Sequence, residues 1–360
     1  MALDHYVSQV HLKRFYSPSL DELMHATRKS DLKTFTPRSN DVCRTDEGNT
    51  NDFLTEPRAI EEFLKTVERK YNDAVTLLET GRPNNEAIYV VAGFLSYLLT
   101  CTPAAMRMNA NLVEEHIEAM TKAADAKAAF EPPPSELAGD SLTELLDSGG
   151  IKVVVDRKVP QAVGIATILS HVASFGNSSW EILVNNNKDC PFFTSDFPVA
   201  NEQSENQFIL NRVVPLTPTL AVRIKPDINH NAPDFSFENF SYVRRHISRQ
   251  EAIEINRSLV RSAEDTVFYS EAQGWVSTFV EKNRNHRMET QEVNPGTGPL
   301  KHYRQVAAKF DRAAQQKEQS AKMAAPISRA TATDAPSGVA PRKGMTFSTW
   351  TRRGEPKPLK

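Results

Sequence analysis

The segment that decides the fold is residues 84–100, which read NNEAIYVVAGFLSYLLT. Its large apolar side chains, among them Ile88, Val91 and Leu95, fall on every face of a helix rather than along one stripe. The apolar run of about thirteen residues is shorter than the roughly 20 that span a bilayer. The sequence therefore predicts a central helix buried inside a folded domain, and no membrane association.

A long amphipathic helix is predicted before this segment and a polar helix after it. For the first, Thr55 is the candidate N-cap, Pro57 lies in the first turn and Gly81 follows the last turn. The second is expected to run from Pro103 to about residue 130, where EPPP (131–134) ends it. The apolar stripe of the first helix has the three-and-four spacing of one helical face and consists of Ile60, Phe63, Leu64, Val67, Tyr71, Val75 and Leu78.

The second half of the chain changes to short runs rich in β-branched and aromatic residues, a pattern typical of strands. A helix over 160–174 precedes them, and capping boxes at Ser141 and Ser248 predict two more helices. The connection PLTPT (215–219) is short and bounded by Pro, which favours antiparallel neighbours. The predicted fold class is α+β, with a helical N-terminal region packed on a small, mainly antiparallel sheet. The strand candidates are WEILVN (180–185), FFTS (192–195), QFILNRVV (207–214), LAVRI (220–224) and TVFYS (266–270).

The domain prediction is a single α+β domain over residues 1–285, a polar extension over 286–323 and a disordered tail over 324–360. A helix over about 300–323 fits the extension, and the tail is rich in Ala, Pro, Ser and Thr. Residues 319–360 contain eight Lys and Arg against two Asp and Glu, a net charge of +6. Since the whole chain is −2, residues 1–318 carry −8. An acidic body argues against a nucleic-acid-binding protein, except for weak binding through the basic tail.

Cysteine usage and the N-terminus predict a cytoplasmic protein. The three cysteines, Cys43, Cys101 and Cys190, are far apart and form no CxxC pair, so neither a disulfide framework nor a zinc site is indicated. The first fifteen residues lack the basic start and apolar run of a signal peptide. No Gly-rich phosphate loop occurs, and the sequence identifies neither a cofactor nor a partner.

The stretch CPFFTSDFPVA (190–200) places Thr194, Ser195 and Asp196 at the end of an apolar strand, before a Pro turn. A carboxylate in such a place can act as a general base or a metal ligand. The alternative is an Asx-turn, in which the Asp196 carboxylate accepts backbone N–H groups two residues on. Ser195 is a weaker candidate nucleophile because no Gly-x-Ser-x-Gly elbow surrounds it.

His5 is the second candidate for chemistry. It lies just before a short helix that Ser8 is expected to cap, and its imidazole can shuttle a proton. The alternative is a histidine that caps or packs against that helix. His5 and His11 are six residues apart, which is not the spacing of a helical metal pair, and no metal site is predicted.

These two motifs resemble a family known as domain of unknown function 4238. Its opening His-Tyr-Val-Pro signature, followed by Leu, basic residues and Phe, is matched over residues 5–15, with Ser8 in place of the usual Pro. Its Trp-led strand and Thr-Ser-Asp-Asn-Pro signature are matched by Trp180 and residues 194–198, with Phe197 in place of Asn. The resemblance covers roughly residues 4–270. It implies an α+β domain and no known activity.

Five further residues are candidates for binding, and three of them have a structural alternative. Lys13 and Arg14 can hold a phosphate or carboxylate, or they form a solvated face. Glu68 lies near the edge of the apolar stripe, where the family often has Glu, or it is an ordinary exposed helical residue. Tyr6 and Thr194 belong to the two signatures.

Two functions are compatible with the sequence. The first is a hydrolase whose acid–base site is built from His5 and Asp196, with Ser195 beside them. The second is a non-catalytic binding or regulatory protein in which both motifs fix the N-terminal segment against the sheet. Geometry separates them: an imidazole and a carboxylate that share an open cleft favour an enzyme, and buried groups with all hydrogen bonds satisfied favour a structural role.

Overall fold

The computed structural model describes residues 3–133, 141–206, 209–227, 234–292 and 303–311, all within one compact unit, Met1–Arg312. The α-helices of these ranges are α1 (Gln9–Leu12), α2 (Ala59–Glu79), α3 (Asn85–Cys101), α4 (Pro103–Asp125), α5 (Leu142–Ser148), α6 (Lys158–Ala166), α7 (Ile168–Gly176), α8 (Arg249–Ser262) and α9 (Val276–Asn283). The strands are β1 (Leu3–His5), β2 (His25–Arg28), β3 (Thr34–Phe35), β4 (Arg44–Asp46), β5 (Ser179–Val184), β6 (Thr194–Ser195), β7 (Ala200–Gln203), β8 (Leu210–Thr217), β9 (Leu220–Lys225), β10 (Ser241–His246), β11 (Thr266–Tyr269), β12 (His286–Glu292) and β13 (Tyr303–Lys309). The protein is therefore of the α+β class, as predicted.

Helix α3 is the buried centre of the helical region, which confirms the prediction from residues 84–100. Asn84 caps it by accepting a hydrogen bond from the Ala87 N–H at 2.8 Å, and residues on all sides of the helix are buried. Helix α2 packs closely against α3 at Gly93, where an added Cβ would lie 2.9 Å from Val67 Cγ2. Glycine at this position lets the two backbones approach.

Helix α2 begins at Ala59, four residues after the predicted N-cap Thr55. The Asn51 N–H donates to the Pro57 carbonyl at 2.8 Å, so this carbonyl accepts a hydrogen bond from the preceding loop and not from the first turn of the helix. The end of the helix is as predicted, because Gly81 follows it with a positive φ of 69°. Polar loop contacts have thus moved the start of α2, and the apolar stripe is unaffected.

A five-stranded sheet has the order β10-β5-β9-β8-β7. The predicted antiparallel neighbours β8 and β9 pair as expected, and β5 pairs with β9 on the other side. The edge strand β10 pairs with β5 in parallel, with Tyr242 opposite Trp180. Strand β10 was not predicted, because most of its side chains are exposed and polar and lack the pattern of a strand. Trp180 is buried against the helical region.

A second sheet, of order β3-β2-β11-β6, contains the Thr-Ser-Asp motif. Its strand β11 was predicted, whereas β6 contains only Thr194 and Ser195 of the longer predicted strand. Strand β6 pairs with β11, with Ser195 opposite Val267 and Thr194 opposite Phe268. This pairing places Asp196 beside the turn that joins α8 to β11.

Two other predictions differ from the structure. The predicted helix over 160–174 is two helices, α6 and α7, which meet at Thr167 with a bend of 56°. The helix proposed over 300–323 is wrong for residues 303–309, which form β13 because they pair with β12 in an antiparallel hairpin. The rest of that segment and the tail predicted to be disordered lie outside the described residues. The serine N-caps predicted at Ser141 and Ser248 are confirmed, because each Ser Oγ accepts the backbone N–H of the residue three positions later at 3.1 Å.

No single described helix is both long and apolar enough to cross a membrane. Two bent helix pairs, α3 with α4 and α6 with α7, reach the required length and composition only when their halves are taken together.

Candidate functional site

The Asp196 carboxylate is fully engaged by backbone N–H groups. It is buried, with 6% of its surface exposed, and follows β6 directly. Its Oδ1 accepts from the Glu264 N–H at 2.9 Å, and its Oδ2 accepts from the Asp265 and Thr266 N–H groups at 2.7 and 2.8 Å. Burial raises the pKa of Asp196 to about 6, although the Thr266 and Asp265 N–H groups act in the opposite direction. The predicted satisfaction by backbone donors is found, but the donors belong to the α8–β11 turn instead of the local Asx-turn.

The neighbouring hydroxyl groups are also used inside the fold. Ser195 is buried, and its Oγ accepts from the Phe197 N–H at 3.2 Å. Thr194 Oγ1 lies 2.7 Å from His11 Nε2, and His11 Nδ1 lies 2.8 Å from the Tyr71 hydroxyl. All three of these side chains are buried, and they connect β6 through α1 to α2. We call Thr194, His11 and Tyr71 the buried polar chain.

The buried polar chain requires a neutral His11. Burial lowers the pKa of its imidazole to about 3, so both neighbours hydrogen-bond to a ring that has one donor and one acceptor nitrogen. In the sequence, His11 belongs to the N-terminal signature and Tyr71 to the apolar stripe of α2. Their spacing along the chain gives no sign of the contact.

The low pKa of His11 gives a pH-dependent contribution to stability. The folded-state pKa lies below the unfolded value of 6.5, so this stability is fully present above pH 6.5 and is lost as the pH falls, while only the unfolded chain takes up a proton. When the pH falls from 7.5 to 5.5, we expect the free energy of unfolding of wild type to decrease by about 1.4 kcal/mol more than that of His11→Gln, which has no titrating group at position 11. Urea denaturation of both proteins at the two pH values measures this difference. The exposed His246→Gln substitution is the control, and an unchanged gap between wild type and His11→Gln would contradict the assignment.

His5 lines a polar cleft of about 300 Å³ beside the first strand. Its ring is half-buried, and Nε2 makes no well-formed hydrogen bond within the described part of the chain. Burial lowers the pKa of His5, although the Asn40 carbonyl and the Glu68 carboxylate raise it. The imidazole is therefore neutral at pH 7 and can accept a hydrogen bond. The cleft is lined by Leu3, Asp4, His5, Gln9, Val10, Asn49, Glu61, Leu64, Lys65 and Glu68.

Two carboxylates that line the cleft with His5, those of Asp4 and Glu68, differ in their hydrogen-bond partners. Asp4 accepts from Arg58 Nη2 at 2.9 Å and from the Asn49 N–H at 3.0 Å. Burial acts to raise the pKa of Asp4, but these hydrogen bonds outweigh it and lower the pKa. Glu68 accepts the Ser8 hydroxyl at 2.6 Å through Oε1. The predicted Ser8 cap is thus replaced by a contact with Glu68, whose Oε2 has no hydrogen bond within the described residues.

The other predicted binding residues do not line this cleft. Tyr6 is largely buried, its hydroxyl contacts the Cys43 thiol, and burial raises its pKa. Arg14 donates to Asn72 Oδ1 and to the Asn72 carbonyl, both at 2.9 Å, which attaches it to α2. Lys13 is exposed. Tyr6 and Arg14 therefore make contacts within the fold, and Lys13 is a solvated side chain.

The structure brings His5 and Glu68 together and leaves Asp196, Ser195 and Thr194 elsewhere. None of the last three lines the His5 cleft, and no hydrogen bond joins His5 to Asp196 among the described residues. In the same ranges, no group of three His, Cys, Asp or Glu side chains is arranged to hold a metal ion.

Buried cations near Asp196 were missed by sequence analysis. The fully buried Lys29 donates from Nζ to the carbonyls of Ala263 and His286 at 2.5 and 2.8 Å. Arg107 pairs with Glu264 and Glu289 at 2.9 and 3.0 Å. These bonds attach β12 to the α8–β11 turn. Single Lys and Arg residues in mixed sequence carry no pattern from which such contacts can be predicted.

The fold and the site define an α+β protein whose N-terminal segment is fixed in the core by buried polar contacts, with a polar cleft at its side. A family described as "Protein of unknown function (DUF4238)" matches residues 4–273, three quarters of the chain. The chain belongs to this family. No curated protein and no solved structure matches it.

Proposed function

We propose that the chain is a ligand-binding protein in which the Thr-Ser-Asp motif is structural and the His5 cleft holds a small ligand. The observation that carries this proposal is the engagement of Asp196: its carboxylate accepts three backbone N–H groups and lies away from the cleft. A general base needs a lone pair directed at a bound substrate. Asp196 does not meet this requirement, which supports a structural role.

The cleft favours a ligand that donates hydrogen bonds and carries a positive charge. The neutral imidazole of His5 and the carboxylate of Glu68 are both acceptors at neutral pH. Gln9 and Asn49 add side-chain amides, and Leu3 and Leu64 supply apolar surface. A cleft of about 300 Å³ is at the lower end of the range for small-molecule sites. A small amine has the matching size and charge.

The alternative is a hydrolase. With Asp196 engaged, an acid–base pair would have to consist of His5 and Glu68, which line the same cleft. A screen with nitrophenyl esters separates the two functions. Saturable hydrolysis that is lost in His5→Gln favours the enzyme, and its absence favours the binding protein.

For the binding function, we expect a small diamine such as 1,4-diaminobutane to stabilise the protein in a saturable manner. Glu68→Gln removes the charge that pairs with the amine while keeping an oxygen for Ser8, so its affinity should fall at least about tenfold. Calorimetric titration at constant ionic strength measures this loss.

The matched control is Glu86→Gln on α3, because Glu86 is 53% exposed, pairs with Lys70 and does not line the cleft. It should bind the diamine as wild type does. Absence of saturable diamine binding, or equal affinity in wild type and Glu68→Gln, would exclude this ligand class.

A further inference from the structure

A second cavity, of about 210 Å³, lies between α4, β8 and the β12–β13 hairpin. It is separate from the His5 cleft, and the two share no lining residue. Its lining includes two arginines, Arg212 from β8 and Arg304 from β13. The complete lining is Asn109, Leu112, Leu210, Arg212, Thr290, Tyr303, Arg304 and Gln305.

Arg212 is a partly buried cation whose protein partners are neutral. Its Nη1 donates to Asn201 Oδ1 and to Gln305 Oε1, the latter at 2.9 Å. In the described ranges no Asp or Glu side chain forms an ion pair with it. Burial without a nearby anion lowers the pKa of Arg212 to about 10, so it is still charged at pH 7. A buried charge is costly unless an opposite charge compensates it.

The same region contains donor groups without acceptors. Arg304 Nε and Asn201 Nδ2 are buried and have no hydrogen-bond partner among the described residues. Arg304 Nη2 reaches only an amide oxygen, Gln291 Oε1, at 3.3 Å. Buried polar groups in proteins are nearly always hydrogen-bonded, so orphan donors around one cavity point to an acceptor that occupies it.

The side chains that line the cavity are neutral or positively charged. They include two Arg and no Asp or Glu. By contrast, the other buried arginines, Arg107 and Arg223, each pair with two or more glutamates. Arg212 thus differs from the arginines that stabilise the fold.

We infer that this cavity binds the phosphate group of a small molecule, with Arg212 and Arg304 as its charge partners. Two guanidinium groups with no carboxylate match a dianion, and a phosphate monoester carries between −1.5 and −2 charges at pH 7. A monocarboxylate would leave one positive charge uncompensated. Since about 210 Å³ is smaller than the ~300–1,000 Å³ of sites for drug-sized molecules, the ligand is a compact ester or inorganic phosphate.

The test is titration of the full-length protein with inorganic phosphate and with glycerol phosphate, at constant ionic strength set by chloride, followed by melting temperature and calorimetry. Wild type should bind in a saturable manner. Arg212→Gln and Arg304→Gln should each weaken binding by at least about tenfold. Arg249→Gln, at an exposed position that pairs with Asp189, is the control and should bind as wild type does.

Arg212→Gln is expected to fold, because it replaces a partly buried charge that has no acidic partner among the described residues by a neutral amide. Arg304→Gln provides the same test if Arg212→Gln does not fold. Saturable phosphate binding that both variants lose supports the inference. No saturable binding by wild type, or binding retained in both variants, overturns it. Equal affinity for acetate and for glycerol phosphate would overturn the assignment to phosphate.

Discussion

Asp196→Asn is expected to lower the free energy of unfolding by about 3 kcal/mol at pH 7, because a buried, charged acceptor of three backbone hydrogen bonds is replaced by an amide. The asparagine has one acceptor oxygen, and its NH₂ group must face an N–H donor of the α8–β11 turn. The turn loses at least one partner, and its N–H group stays buried and unsatisfied. Urea denaturation measures the change.

The control for Asp196 is Asp189→Asn. Asp189 is 62% exposed and pairs with Arg249, and surface ion pairs of this kind contribute little to stability because solvent screens them. Diamine affinity adds an independent readout, because a structural Asp196 leaves the His5 cleft intact. A stability change below about 1 kcal/mol would mean that the three N–H groups do not depend on the carboxylate. A loss of diamine binding in a folded Asp196→Asn protein would restore Asp196 to the site.

Leu95→Asp is expected to abolish soluble expression. Leu95 lies in the middle of α3 with no exposed surface, so the substitution removes a large apolar side chain and buries a carboxylate without a partner. The combined cost reaches the 5–15 kcal/mol total stability of an ordinary domain. Leu95→Ala, which only leaves a cavity, should fold with a loss of about 2–5 kcal/mol.

Leu169→Asp on α7 is the matched control, because Leu169 is 48% exposed and the new carboxylate can remain in water. It should express and melt close to wild type. A soluble Leu95→Asp protein with a wild-type melting temperature would show that α3 is not the buried centre of the fold. Yields and thermal melts of the three variants give the comparison.

The parts of the fold that sequence could predict depend on neighbouring residues. The Ser141 and Ser248 caps and the all-round apolar pattern of α3 are complete within one or two turns of the chain. The parallel pairing of β10 with β5 cannot be predicted from neighbouring residues. Strand β10 has the exposed, polar side chains of a loop and becomes a strand only when β5 lies beside it. The β12–β13 hairpin was missed for the same reason.

The candidate site shows the same limit. The sequence identified His5, Glu68 and Asp196 as polar groups in suggestive places, and the structure places His5 and Glu68 on one cleft. The sequence could not show that the N–H groups that donate to Asp196 belong to residues 264–266, which lie 68–70 positions later in the chain. Arg212 was predicted only as part of a strand. Its lack of an acidic partner is a property of its surroundings and has no counterpart in the local sequence.

The buried polar chain also has a consequence for the order of folding. The hydrogen bond between His11 and Thr194 joins residues 183 positions apart, so a long loop must close before it forms. At about 5–20 residues per second of synthesis, α1 leaves the ribosome roughly 10–40 s before its partner strand exists. During this interval His11 has no buried acceptor or donor in β6. The N-terminal segment is therefore expected to dock only after β6 has been synthesised, late in the formation of the domain.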